Sequence, residues 1–323
     1  MSKRPRTLDS FFAPHAVKKS KLVSEELSET AIIQQNSRHA TYPFAIPELP
    51  LELREMLNFV PATEGRVMNN QPDLDLLYFS PYIPKDAVRG LFEFLRHELF
   101  FYRVKYNIKR GPVETQINTP RYTTVFGVDD TARFDDDGAL VDAKTEKPVA
   151  QSAYKQRPRP IPACLDDIRK LTEAATGCTF NFALVNYYAT GEDSISYHSD
   201  NEKFLGIDPA IASFSLGAKR DFLLKHKPTP QKHESETKPT KLNLQSGDMI
   251  LMRGKTQSNW LHSIPKRKGG EADKGRINIT FRKAMIRGGT DNYYRYNVGD
   301  GGIYKWSDDH REMLPSTNVT PNA

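Results

Sequence analysis

The sequence predicts an α+β fold, a β-sandwich or jelly-roll core with N-terminal helices packed on its sheet. Two observations predict it. Apolar residues recur at helical spacing in two segments of the first half, and from Cys178 onward the pattern changes to short β-rich runs punctuated by turn residues. Two helices followed by many strands argue for one α+β domain rather than an alternating βα chain. No internal repeat is visible.

Residues 1–40 read as a disordered basic tail. They are polar, show little apolar periodicity, and carry the clusters Lys3-Arg4-Pro5-Arg6 and Lys18-Lys19-Ser20-Lys21. Leu8, Phe11 and Phe12 stand out because such a tail cannot bury them. They form either a docking motif for a partner or a chance apolar spot. Residues 41–73 are Pro-rich and read as an extended segment, and the folded domain is expected over 74–287. Leu74, Leu76, Leu77, Tyr78 and Phe79 suggest its first strand. Pro84 starts a helix to about His97, with Val88, Leu91, Phe92 and Leu95 on one face. A second helix fits 163–176, through Leu165, Ile168, Leu171 and Ala175, and Gly177 stops it. Strands are predicted at 179–188, 210–217, 220–226, 247–253 and 275–283, and the charged 226–241 reads as a surface loop. A Gly- and Tyr-rich C-terminal extension, 288–323, is expected to pack on the domain, with a loose end from 315.

Composition narrows the function classes. With 323 residues, 38% hydrophobic and 27% charged, the chain fits a soluble protein with a real core. No stretch approaches the ~20 apolar residues that span a bilayer. The N-terminus also lacks the pattern of a secretory signal, so no membrane role is expected. Two cysteines, Cys164 and Cys178, exclude a disulfide framework and a cysteine-rich zinc motif and point to a reducing compartment. The net charge of +6 suits a polyanionic partner such as nucleic acid without requiring one.

The chemistry starts at His198-Ser199-Asp200. On an extended segment, positions i and i+2 point to the same face, so an imidazole and a carboxylate converge. One further histidine completes a two-His-one-carboxylate facial triad, the ligand set of non-haem Fe(II) oxygenases, whose open positions admit cosubstrate and O2. Of the eight histidines, His262 is the best third ligand, since it lies between two predicted strands while the others sit in tail, loop, helix or C-terminal positions. The strand after it alternates strictly. Arg276, Asn278, Thr280 and Arg282 occupy one face and Ile277, Ile279 and Phe281 the other. Such a polar face suits an outer sheet surface. It equally makes a receptor for a dicarboxylate such as 2-oxoglutarate, because a guanidinium binds a carboxylate bidentately. Asn186 and Tyr188 share a face on the strand before His198 and offer an amide and a phenol.

Taken together, Asn186-x-Tyr188, His198-x-Asp200, His262 and Arg276-Ile277-Asn278-Ile279-Thr280-Phe281-Arg282 resemble the AlkB family of nucleic-acid demethylases, over roughly residues 74–285. Flanking segments such as Ile211-Ala212-Ser213-Phe214-Ser215-Leu216-Gly217 resemble its eukaryotic DNA-repair branch. The resemblance implies a double-stranded β-helix core and Fe(II) on His198, Asp200 and His262. It implies 2-oxoglutarate held by Asn186, Tyr188, Arg276, Asn278, Thr280 and Arg282, with O2 as the oxidant. Arg276 would meet the distal carboxylate and Arg282 would lie near the end that chelates iron. The implied activity is oxidation of N-methyl groups on 1-methyladenine and 3-methylcytosine in DNA, with release of formaldehyde from a flipped or unpaired base. An RNA demethylase and a non-catalytic nucleic-acid-binding module are the competing readings, and the complete ligand set argues against the second.

The same resemblance suggests substrate contacts. Glu202 and Asn201 stand where the family has an acidic pair near the base. Arg121 is expected near a phosphate, and Phe126 is open to either the substrate or the core. Tyr106 is expected to fill the gap left by a flipped base by stacking. The acidic run Asp129 to Asp137 is expected to face away from phosphates. Leu8-x-x-Phe11-Phe12 resembles a motif that docks on the replication sliding clamp, with Pro5 in place of its usual glutamine, and the basic clusters read as a nuclear signal. A monomer working in the nucleus is the resulting expectation. Asp200→Ala is expected to abolish turnover and leave the fold largely intact.

Overall fold

A computed structural model describes residues 36–228, 237–299 and 301–316. Leu8, Phe11, Phe12 and both N-terminal basic clusters lie outside the described residues. The chain is built on two antiparallel sheets. The larger has ten strands in the order Glu312–Pro315, Ile303–Ser307, Phe101–Tyr102, Tyr122–Gly127, Phe182–Tyr188, Arg276–Arg282, Ile211–Gly217, Met249–Met252, Leu76–Phe79 and Arg66–Met68. The smaller has four, in the order Ile195–His198, Trp260–Ile264, Arg220–His226 and Thr240–Leu244. Their inner faces meet in a double-stranded β-helix, and residues of both belong to one apolar core.

The five strands predicted after Cys178 are present at Phe182–Tyr188, Ile211–Gly217, Arg220–His226, Met249–Met252 and Arg276–Arg282. The helices form at Lys85–Glu98 and Ala163–Thr176. Gly177 closes the second in the left-handed region, at φ 68°, which a side chain would resist. The first helix packs on the back of the larger sheet, where Phe92 lies so close to Gly217 that a Cβ there would clash with its ring. Tyr82 and Phe79 continue that layer over Phe214 and Phe281. The back face of the sheet is thereby covered, and all seven residues of Arg276–Arg282 are buried. The strand is therefore central, and its polar face is not an outer surface.

Two places differ from expectation, and the C-terminal extension packs on the domain as expected while adding elements of its own. Residues 41–73 are not simply extended. They hold the helix Leu51–Leu57 and the strands Ile46–Pro47 and Arg66–Met68, and they bury Tyr42, Ile46, Leu49 and Leu57. Their prolines break the periodic signal without preventing burial, and Pro50 itself caps the helix with φ −51°. His262 does not lie between strands but on one, Trp260–Ile264. The C-terminal extension adds the helix Asp291–Asn297 and two strands, and Ile303–Ser307 pairs with Phe101–Tyr102 to lengthen the larger sheet. Among the described residues no helix is long and apolar enough to cross a membrane.

Phe126 belongs to the core and not to a substrate surface. In the register Phe126↔Ala183 its side chain falls on the opposite face from Asn186, whose strand partner is Thr123. Phe126 is fully buried, edge-on to Tyr42 and Phe100 at ring-centroid distances of 5.9 and 5.8 Å. Phe126→Ala is accordingly expected to cost about 3–5 kcal/mol of stability, read from urea unfolding. A residue that only touched substrate would leave the unfolding midpoint unchanged and alter KM instead.

Candidate active site

The polar face of Arg276–Arg282 and the smaller sheet enclose one cleft of about 1870 Å³. The larger sheet supplies its cosubstrate side through register. Tyr188 sits opposite Arg276 and Asn186 opposite Asn278, while Leu184 and Phe182 oppose Thr280 and Arg282. On the other flank Ser215 opposes Asn278 and Ser213 opposes Thr280. Antiparallel partners share a face, so these side chains point the same way. Asn278 donates to Ser213 Oγ (2.9 Å) and to the Phe214 carbonyl (2.7 Å), and Thr280 Oγ1 donates to the Leu184 carbonyl (3.1 Å). Both line the cleft, yet their polar atoms are engaged with neighbouring strands.

The smaller sheet and the segment after its first strand carry the candidate ligands. His198 and His262 are direct partners across its first two strands, and their rings lie 4.3 Å apart. Asp200 follows two residues after His198 and turns inward. One ligand atom from each of His198, Asp200 and His262 lies within 4.8 Å of the others. Around them the supports are specific. His198 Nδ1 meets the Ser196 carbonyl at 2.9 Å, which leaves Nε2 for a metal. His262 stacks on Phe222 at 5.4 Å, and the Asp200 amide donates to Gln257 Oε1 at 2.9 Å. Arg282 Nη2 donates to Asp200 Oδ2 at 2.9 Å.

Charge in this site is set by burial and by these neighbours. Burial pushes His262 down to about 3, helped by His198, so it remains a neutral imidazole with a lone pair to donate. Burial pulls Asp200 upward, but the Arg282 guanidinium outweighs it and holds the carboxylate ionised. Arg276 is buried and pushed down to about 10, still cationic at neutral pH. Its one side-chain hydrogen bond is to Ser215 Oγ (2.9 Å), and among the described residues it has no carboxylate partner. Nε and Nη1 of both Arg276 and Arg282 are buried without an acceptor. Buried guanidinium N–H groups lacking partners are costly, and two of them on one wall fit the two carboxylates of 2-oxoglutarate. Two imidazoles and one carboxylate converging at the cleft fit Fe(II) equally. Asn186, Tyr188 and both arginines would hold the cosubstrate. Iron bound at the triad would couple its oxidative decarboxylation to activation of O2.

The remaining candidates separate. Glu202 lines the cleft and accepts a hydrogen bond from Tyr293 (2.7 Å). Asn201 does not line it. Asn201 accepts from Ser199 Oγ and borders a small cavity beside Gly206 and Ile207, because alternate positions of an extended segment point oppositely. Arg121 lies inside the cleft, donating to Asn186 Oδ1 at 3.0 Å, and so holds a cosubstrate-side amide as well as carrying charge. Tyr106 stands on the hairpin Lys105–Arg110/Val113–Asn118 at the rim, edge-on to Tyr296 at 5.8 Å. The acidic run is structural where it is buried: Asp129 accepts from Thr131 and from the Gly288 amide. Sequence reasoning missed Ser213 and Ser215, although their period-two alternation with Ala212, Phe214 and Leu216 marks a polar face. It also missed Gln257 and Tyr293, which carry no local signal.

Among the described residues, nine Lys or Arg line the cleft against three Asp or Glu. The described geometry coincides with a family signature. The 2OG-Fe(II) oxygenase superfamily matches residues 75–282, which contain every ligand and cosubstrate residue named above. The chain belongs to that superfamily. Within it, the chain is 40% identical over 129 residues to the DNA oxidative demethylase ALKBH2 of Bos taurus, covering 40% of this chain and 46% of that protein. It is 38% identical over 141 residues to the alpha-ketoglutarate-dependent dioxygenase alkB homolog 3 of Rattus norvegicus, covering 42% and 47%. To the DNA oxidative demethylase ALKBH2 of Arabidopsis thaliana it is 38% identical over 142 residues, covering 39% and 44%. The chain thus spans about half the length of the curated relatives it matches. These superfamily relatives bear out the AlkB resemblance read from the motifs.

Asp200 is both a candidate ligand and the counter-charge of Arg282, so the expectation of an undisturbed fold needs correction. Asp200→Ala is expected to remove Fe(II) binding and to destabilise the metal-free protein by about 3–5 kcal/mol, since it strands a buried guanidinium. Asp200→Asn is expected to lose the metal with a smaller stability loss. Metal titration and thermal unfolding of both variants check this. Arg276→Ala is expected to weaken 2-oxoglutarate binding by roughly 10- to 100-fold, the scale of a charge-assisted hydrogen bond, measured by calorimetry on Mn(II)-loaded protein.

Proposed function

We propose that this chain is a dioxygenase that repairs alkylated DNA by direct reversal, acting on 1-methyladenine and 3-methylcytosine. One observation carries the proposal. Two buried guanidiniums with orphan N–H groups stand beside a converging His-Asp-His triad, at the floor of a cleft lined with basic residues. The triad and the arginines support the oxidation, and the basic lining supports a phosphate-bearing substrate. The likeness to proteins named as DNA oxidative demethylases supports DNA as that substrate.

The chemistry balances as follows. One O2 and one 2-oxoglutarate give succinate, CO2 and a hydroxymethyl group in place of the N-methyl. That group breaks down to formaldehyde and the restored base. Both lesions are cationic with an exocyclic amino group, which suits the Glu202 carboxylate at the cleft. Both methyl groups sit on the Watson–Crick edge, so the lesion must be flipped or unpaired to reach the cleft.

The test is formaldehyde release from methylated oligonucleotides with Fe(II), ascorbate and 2-oxoglutarate. Release from 1-methyladenine DNA is expected, with none from Asp200→Ala. Silence across single- and double-stranded DNA and RNA would sink the enzyme reading, and release from RNA alone would move it to an RNA demethylase. We extend the proposal to a nuclear location and clamp docking through Leu8, Phe11 and Phe12, on their sequence pattern alone. If Phe11→Ala/Phe12→Ala binds purified clamp as well as the parent chain does, the docking reading is wrong.

A further inference from the structure

The helix Asp291–Asn297 lies beyond the 75–282 match, yet its residues line the cleft. We infer that Tyr293 on this helix is a positioning residue that sets lesion specificity by orienting the Glu202 carboxylate toward the flipped base. This rests on the demethylase reading proposed above.

The geometry supports it in three ways. First, the Tyr293 hydroxyl donates to Glu202 Oε1 at 2.7 Å. Glu202 is an exposed side chain with several rotatable bonds, and without this bond nothing in the described residues would fix its direction. Held by one oxygen, it keeps the other free to accept from an exocyclic amino group and to face a cationic ring. Burial raises the phenol well above its ordinary value, so it stays a donor.

Second, Tyr293 is itself held firmly. Its ring packs edge-on to Phe182 (5.5 Å) and Phe204 (5.7 Å), and the Arg282 guanidinium lies over it at 4.9 Å. Arg282 in turn holds Asp200. A continuous set of contacts therefore runs from the ligand carboxylate through Arg282 and Tyr293 to Glu202.

Third, the helix is fastened to the larger sheet. Tyr294 donates its hydroxyl to the Gly127 carbonyl (2.7 Å) and accepts from the Arg159 amide (2.8 Å), and Thr123 Oγ1 donates to the Asn297 carbonyl (2.5 Å). Gly289 lets the chain enter the helix over Phe204, where a Cβ would clash with that side chain. A loosely attached C-terminal segment would have no need of these contacts.

The experiment uses the full chain as wild type, Tyr293→Phe, Glu202→Gln and the double variant, all loaded with Fe(II) and 2-oxoglutarate. Substrates are single-stranded oligonucleotides bearing 1-methyladenine or the neutral 3-methylthymine, which has no amino group and no positive charge. Tyr293→Phe keeps the ring and removes only the donor. It is expected to raise KM for 1-methyladenine roughly tenfold, the scale of one hydrogen bond to a charged acceptor, with kcat within about twofold. For 3-methylthymine the shift is expected to stay within about twofold. In the Glu202→Gln background the tenfold effect should largely vanish, because the two residues act through one contact. Binding of labelled 1-methyladenine oligonucleotide to metal-free protein, read by anisotropy, should weaken in parallel. Equal effects on both lesions, or full additivity with Glu202→Gln, would overturn the inference. If wild type turns over and Tyr293→Phe matches it, the inference alone falls. If wild type releases no formaldehyde, the demethylase reading falls and takes the inference with it.

Discussion

Arg282 and Asp200 meet at 2.9 Å, both buried, one from the larger sheet and one from the segment that leaves the first strand of the smaller. Neither charge is tolerable there alone, because removing one partner leaves the other desolvated and unpaired. The pair therefore fixes the distance between the two sheets at the point where the ligands converge. It also orients the carboxylate that the triad requires. The cosubstrate wall and the metal site are in this sense one structure, joined by a hydrogen bond that the chain makes before anything binds.

Arg276 presents the complementary case. It is as deeply buried as Arg282, but in place of a carboxylate it meets the Ser215 hydroxyl and the Tyr188 ring. The unfavourable burial of that charge is offset when a carboxylate arrives, so stability is conceded at the spot where binding is needed. The surrounding polar residues are arranged differently. Asn278 and Thr280 are hydrogen-bonded to neighbouring strands, which holds the sheet in register around the arginines. The four polar positions of one strand thus divide into two with N–H groups left without an acceptor and two that brace.

Much of this was legible before the fold. The helix at Ala163–Thr176 and the strand at Arg276–Arg282 follow from local periodicity, which needs no knowledge of neighbours. The ligands were legible because His198 and Asp200 share a face within three residues. Phe126 and Asn201 were not, since an aromatic or amide on a strand reads the same on either face until the register is known. The structured part of 41–73 was hidden by its prolines. The burial of Tyr42 and Leu57 depends on packing against residues far along the chain.

Periodicity alone determined which side chains travel together: Arg276 with Arg282, Asn186 with Tyr188, His198 with Asp200. The reason is local, since successive residues of an extended chain point to opposite faces whatever lies beyond them. Tertiary structure decided which of those faces became the cleft and which the core. It also brought in partners from distant segments. Glu202 meets Tyr293 from 91 residues away, and Asp200 meets Arg282 from 82. No pattern within a strand or helix encodes such pairs, because they exist only once the two sheets have closed and the C-terminal helix has been fastened across the cleft.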